Sequence, residues 1–240
     1  MACDGGVRHL LNKNLAEFDL IMKRGVGLGC IHYGVETTKG PAGEHFLRWI
    51  GGYFEPYWSV NPVWNAEFML LPQHPISRGV QPFEMLDEWY YHMRFREATS
   101  AIGSITPILS AHPPESTMKR LKTGVESHPH HGNKAVAEAV LKRKEAQHVA
   151  WAYQRGHDYN YGRGFGFTGA HFHENWASLD ARRLVLNAIA WIAKIDVPDD
   201  GVPTREVTFA DLLKNQDFSK PQNWKNEASV KNKIAKFRRK

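Results

Sequence analysis

Residues 8 to 31 constrain the fold more than any other stretch. Leu11, Leu15, Phe18 and Met22 recur at i, i+4, i+7 and i+11, and Lys23-Arg24-Gly25 follows. That spacing predicts an amphipathic helix over 8–24 with a cationic last turn and a glycine stop. Val26-Gly27-Leu28-Gly29-Cys30-Ile31 comes directly after it. So short and nearly continuous an apolar run is expected of a strand covered on both faces. A helix leading into a buried strand is the order of an α/β protein, with a sheet between helical layers.

The rest of the chain extends this pattern. Further strands are expected at 65–71, 88–95, 104–110, 148–154 and 163–168, with a helix at 42–50. Leu184, Val185, Ala188, Ile189 and Ile192 share one face of a helix over 180–194, which would pack on the sheet. Residues 112–147 mix Pro, His, Lys and Glu, with one helical patch at Ala135–Arg143, and read as a long surface excursion. The run Asp196-Val197-Pro198-Asp199-Asp200-Gly201-Val202-Pro203 then breaks the periodicity. The expected organisation is one α/β domain over 1–196 and a C-terminal extension over 197–240.

Charge narrows the partners. The net charge is +6, but residues 214–240 hold nine basic and two acidic side chains, leaving the preceding body at −1. A neutral body with a basic end reads as a solvated tail, dispensable for the fold, and not as a nucleic-acid interface. No run of eighteen apolar residues exists, so no membrane span is expected. Met1–Gly6 lack the features of a secretory signal, and Cys3 and Cys30 read as free thiols, which together predict a cytoplasmic protein for the chain as written.

Three segments, in order and at fitting separations, resemble the ThuA-like (trehalose-utilisation) family, related to the class I glutamine amidotransferases. They are Gly25–Glu36 (GVGLGCIHYGVE), Asp87-Glu88-Trp89-Tyr90-Tyr91, and Gly162–His171 (GRGFGFTGAH) with the helix after it. The resemblance spans roughly residues 1–196. It implies a flavodoxin-like, doubly wound, mostly parallel sheet and a role in disaccharide or oxidised-sugar catabolism, with a small-molecule sugar as the partner. Related proteins carry a further strand-helix-strand portion before the residue matching Met1, so the domain is expected to be N-terminally incomplete.

The resemblance also directs attention to particular residues. In the amidotransferase relatives a strand runs into Gly-x-Cys-x-Gly, and a sharp turn presents the cysteine. Cys30-Ile31-His32-Tyr33-Gly34 falls on that turn, which puts His32 in the nucleophile position and Cys30 back in the strand. An imidazole there can act as a base or a metal ligand, but cannot form a thioester. His171, in His171-Phe172-His173-Glu174, takes the family-like second position and lies where open α/β sheets bind ligands.

Glu88 is the candidate carboxylate. Trp89 and Tyr91 are candidate sugar-stacking aromatics, and Glu36 and His173 candidate substrate contacts. His32, Glu88 and His171 form a nitrogen and oxygen set suited to zinc or a similar divalent ion. The cluster His128-Pro129-His130-His131 reads as solvated or adventitious. Gly162, Gly164 and Gly166 lack the later glycine of a dinucleotide fingerprint. Two rival functions remain: a noncatalytic carbohydrate-binding domain, and an amidotransferase-like hydrolase using Cys30.

Overall fold

The computed structural model describes residues 1–97, 102–118, 128–214 and 227–237. Helix α1 (Leu15–Lys23) follows two 3₁₀ turns, Gly6–Arg8 and Leu10–Lys13. The expected helix over 8–24 therefore starts late, because His9 ends one turn and caps the next, its Nδ1 accepting from the Leu11 amide. The stop falls where expected. Gly25, at φ +87°, donates to the Met22 carbonyl, and a Cβ there would lie 2.9 Å from the Asn160 carbonyl.

Strand β1 (Leu28–Ile31) comes next, then helix α2 (Pro41–Trp49), the short β2 (Gly52–Tyr53), β3 (Val63–Phe68), β4 (Phe83–Glu88) and the short β5 (Arg94–Phe95). Strands β6 (Gly103–Ala111), β7 (Gln147–Arg155) and β8 (Arg163–Phe167) complete the set. The principal sheet runs β1-β8-β7-β6. Its β1–β8 pair is parallel and its other two pairs are antiparallel, so the sheet is mixed. Both faces are covered. Helix α4 (Leu179–Ile192) presses Leu184, Val185 and Ala188 toward Phe165 and Phe167, while Met22, Phe46 and Trp49 of α1 and α2 pack with Leu28, Cys30 and Trp151 on the other side. Gly166 makes this second face possible, since a Cβ there would sit 2.1 Å from the Trp151 ring.

Two expected elements change. The strand expected at 88–95 is not formed as one ladder: within it only Glu88, the end of β4, and Arg94–Phe95, which are β5, are strand residues. The paired segment is β4, antiparallel to β3, and Glu88 closes it opposite Val63. Trp89, Tyr90 and Tyr91 then thread through the core, so their alternation reflects burial on two sides and not a ladder. The excursion is also less superficial than expected. Its helix α3 (Lys134–Ala137) runs on as a π-turn, Glu138–Lys142, and buries Val136, Ala139 and Val140 in the main core.

Near the end of the chain, α5 (Phe209–Leu212) starts at a Thr208–Asp211 capping box. Helix α6 (Glu227–Lys236) buries Val230 and Ile234 against Leu212 and Ala177. This part of the basic tail is docked, where a solvated terminus was expected. Among the described residues, no helix is long and apolar enough to cross a membrane.

Candidate active site

Parallel pairing of β1 and β8, with Ile31 opposite Phe167, delivers the residues after both strands to one edge of the sheet. His32 is the first residue past β1. Its φ of +51° is left-handed, a conformation a non-glycine residue adopts only when its surroundings hold it. The holding contact is a hydrogen bond of 2.8 Å from its Nδ1 to the Thr168 carbonyl. That bond puts the proton on Nδ1 and leaves the Nε2 lone pair facing the site.

Three atoms converge there. His32 Nε2 lies 3.0 Å from His171 Nδ1, and Glu88 Oε2 lies 3.2 Å from the former and 3.1 Å from the latter. Among the described residues this is the one cluster of three or more His, Cys, Asp or Glu side chains with ligand atoms so gathered. Glu88 Oε2 is buried without a hydrogen-bond partner of good geometry, although two imidazole nitrogens face it. His32 is buried, whereas the His171 side chain is 35% exposed, so the site opens to solvent on that side.

Asp87 builds the loop that carries His171. It is fully buried and accepts from the backbone amides of Ala170, His171 and Phe172 at 2.8–3.2 Å, from the Glu88 amide, and from Asn175 Nδ2. One carboxylate thus fastens the end of β4 to the loop after β8. Charge-assisted bonds of this kind are about twice as strong as neutral ones. Ala170 sits at φ +78° within the loop, a conformation these bonds hold in place.

Several of the site's neighbours were not candidates. The Tyr90 hydroxyl reaches His32 Nε2 at 3.2 Å, and burial, with the nearby Glu88 charge, holds its pKa far above the ordinary range, so it stays protonated. Tyr33 is 41% exposed with its ring beside those of His32 and His171, and burial together with Glu88 and Glu36 raises its pKa as well. Asn61 Nδ2 donates to Glu88 Oε1 at 3.2 Å. Tyr90 could have been found by strand alternation, since residues 89 and 91 share a face opposite residue 90. No local signal points to Asn61.

The expected substrate contacts fare unevenly. Trp89 and Tyr91 are fully buried in the main core, Trp89 donating to the Met85 carbonyl and Tyr91 bonding Thr117, so neither offers a ring to a sugar. His173 lies outside the cluster, its Nε2–H donating to the Leu212 carbonyl. Glu36 is buried at the site's flank, with Oε1 3.3 Å from His130 Nε2. His130, expected to be solvated, is thereby part of the site's surroundings. Cys30 is buried, and desolvation pushes its thiol up to about 12.

The sequence matches the family model of ThuA, described as trehalose utilisation, over residues 5–192. The chain belongs to the ThuA family. No curated protein and no solved structure matches it. The matched span holds every residue of the candidate site described above, from His32, just past β1, to His171, after β8.

Proposed function

We propose that this ThuA-family protein acts in sugar catabolism as a divalent-metal enzyme on an oxidised disaccharide, a keto sugar, with His32, Glu88 and His171 as the ligands of zinc or a similar ion. The observation that carries the reading is the convergence of His32 Nε2, His171 Nδ1 and Glu88 Oε2 at pairwise separations of 3.0–3.2 Å. Neighbouring ligands around an ion about 2 Å from each lie at similar spacing. Two imidazoles and one carboxylate on one side, with the other side open, is also the donor set of sites that bind substrate at free positions.

Such an ion would polarise a keto oxygen and ease proton loss from the carbon beside it. The chain's own groups do the rest. Thr168 fixes the His32 tautomer, and Asp87 positions His171. Tyr90, kept protonated by burial, can donate to an oxygen that gains negative charge near His32. The exposed Tyr33 ring supplies the apolar surface that Trp89 and Tyr91 do not.

The noncatalytic reading relied on those two buried aromatics, and the hydrolase reading on a Cys30 thiol that burial keeps protonated. Incubation with trehalose and its 3-keto derivative, with and without a chelator, tests the proposal by product analysis. Turnover of the keto sugar that chelation abolishes and zinc restores supports it. Binding without turnover under every condition overturns it.

A further inference from the structure

The site has a second tier that the ligand triad does not account for. Asn61 Nδ2 carries two hydrogens and has two acceptors, Glu88 Oε1 at 3.2 Å and His130 Nδ1 at 3.5 Å. On the far side of the imidazole, His130 Nε2 faces Glu36 Oε1 at 3.3 Å. Donors and acceptors alternate in one direction only. The Glu36 carboxylate takes the Nε2–H of His130, which leaves Nδ1 as the acceptor for Asn61, whose other hydrogen goes to Glu88. The amide orientation is decided by the Glu88 carboxylate, which can only accept.

We propose that Glu36, His130 and Asn61 form a positioning relay that sets the rotation of the Glu88 carboxylate and so presents Oε2 to His32 and His171. Asn61 Oδ1 is buried without a hydrogen-bond partner. Burying an amide oxygen in that way is unfavourable, so the amide is held by what its nitrogen does. The relay also gives the excursion a purpose. His130 is brought in by backbone bonds on either side of it, from the Tyr57 amide to the Pro129 carbonyl and through the bridge between Val60 and His131, and its ring meets the edge of Phe54, which in turn packs on Tyr90. Groups that orient a metal ligand from behind tune its affinity, and their loss typically costs 10- to 100-fold.

This inference rests on the reading of the triad as a metal site, and two measurements separate them. Imidazole ¹⁵N spectra of the chelated protein should show His130 in a single Nε2–H form in the wild type. Calorimetric titration with cobalt(II) should give one site in the wild type, an affinity 10- to 100-fold weaker in His130→Phe and Asn61→Leu, and recovery to within about threefold in His130→Gln, whose amide can both donate to Glu36 and accept from Asn61. A mixed His130 tautomer overturns the relay. Equal cobalt(II) affinities in the wild type and His130→Phe also overturn it. A wild type that binds no cobalt(II) overturns the metal reading alone, and the relay is then decided by the spectra. In that case, a His171 spectrum that changes in His130→Phe and returns in His130→Gln supports the relay, and one unchanged in both overturns it.

Discussion

His32 Nε2 and His171 Nδ1 lie 3.0 Å apart although 139 residues separate them in the chain. Two imidazole nitrogens can approach so closely only if one carries a proton for the other or both turn lone pairs toward a shared cation. With its Nδ1 proton on the Thr168 carbonyl, a neutral His32 turns the Nε2 lone pair to His171, so in that form and without a cation the shared hydrogen belongs to His171 Nδ1.

A tautomer switch follows. In chelated protein His171 should be the Nδ1–H form, shared between His32 Nε2 and Glu88 Oε2, and on loading with zinc it should become Nε2–H while His32 keeps its Nδ1 proton. Imidazole ¹⁵N shifts in the two states check this. A His171 tautomer that zinc leaves unchanged would show that Nδ1 is not a ligand.

His32→Ala is expected to lower turnover of the keto sugar by about 10²- to 10⁴-fold, the scale on which one catalytic group contributes. Sugar binding should change by less than about threefold and the protein should still fold, because the ring's one backbone bond, to Thr168, is local to the sheet edge. Turnover and equilibrium binding measured on the same preparation separate the two effects.

Asp87→Asn should cost about 1–3 kcal/mol of stability, since an amide cannot accept from all five N–H donors that surround this buried carboxylate and would set its own NH₂ against some of them. The damage should reach function through His171. Chemical denaturation, with cobalt(II) affinity measured alongside, tests this. A variant of unchanged stability would mean that Asp87 does not hold the loop after β8.

Cys30 should resist a bulky thiol reagent in the native state at pH 8, because burial pushes its pKa up to about 12 and no path reaches the sulfur. Cys3 is only partly buried and should react first, with Cys30 following upon unfolding. Mass spectrometry of the labelled peptides gives the order.

Acid should destabilise the fold before its carboxylates titrate. Burial, with the Arg163 charge, lowers the pKa of His74 from its ordinary 6.5 to about 4, and burial lowers those of His9, His92 and His148 too. The unfolded chain therefore binds protons that the folded one refuses. For His74, stability is complete above about pH 6.5 and declines as pH falls toward about 4. Protonation there would also remove the acceptor of the Ile76 amide. Urea melts between pH 7.5 and 4 should show the decline, and His74→Gln should flatten it.

Much of this protein follows from local pattern alone. The α1–β1 step was legible because helical and strand periodicities depend only on neighbouring residues, and the stop at Gly25 is punctuated by residue type. The apolar run also put Cys30 out of reach of solvent, whereas His32 and His171, after strands that share an edge, were singled out by the family resemblance and not by periodicity.

What the tertiary structure decided is everything that depends on which side chains meet. An aromatic run threading a core alternates just as a strand does, so Trp89 and Tyr91 resembled a binding face until packing buried them and left Tyr90 toward His32. Glu88 reaches the histidines only because β4 ends where β3 pairs with it and because Asp87 clasps the loop after β8. Asn61 and His130, 69 residues apart, carry no mark of their relation in the chain. Hydrogen-bond partners of this kind are chosen by distance and direction in the folded state, and neither quantity exists along a sequence.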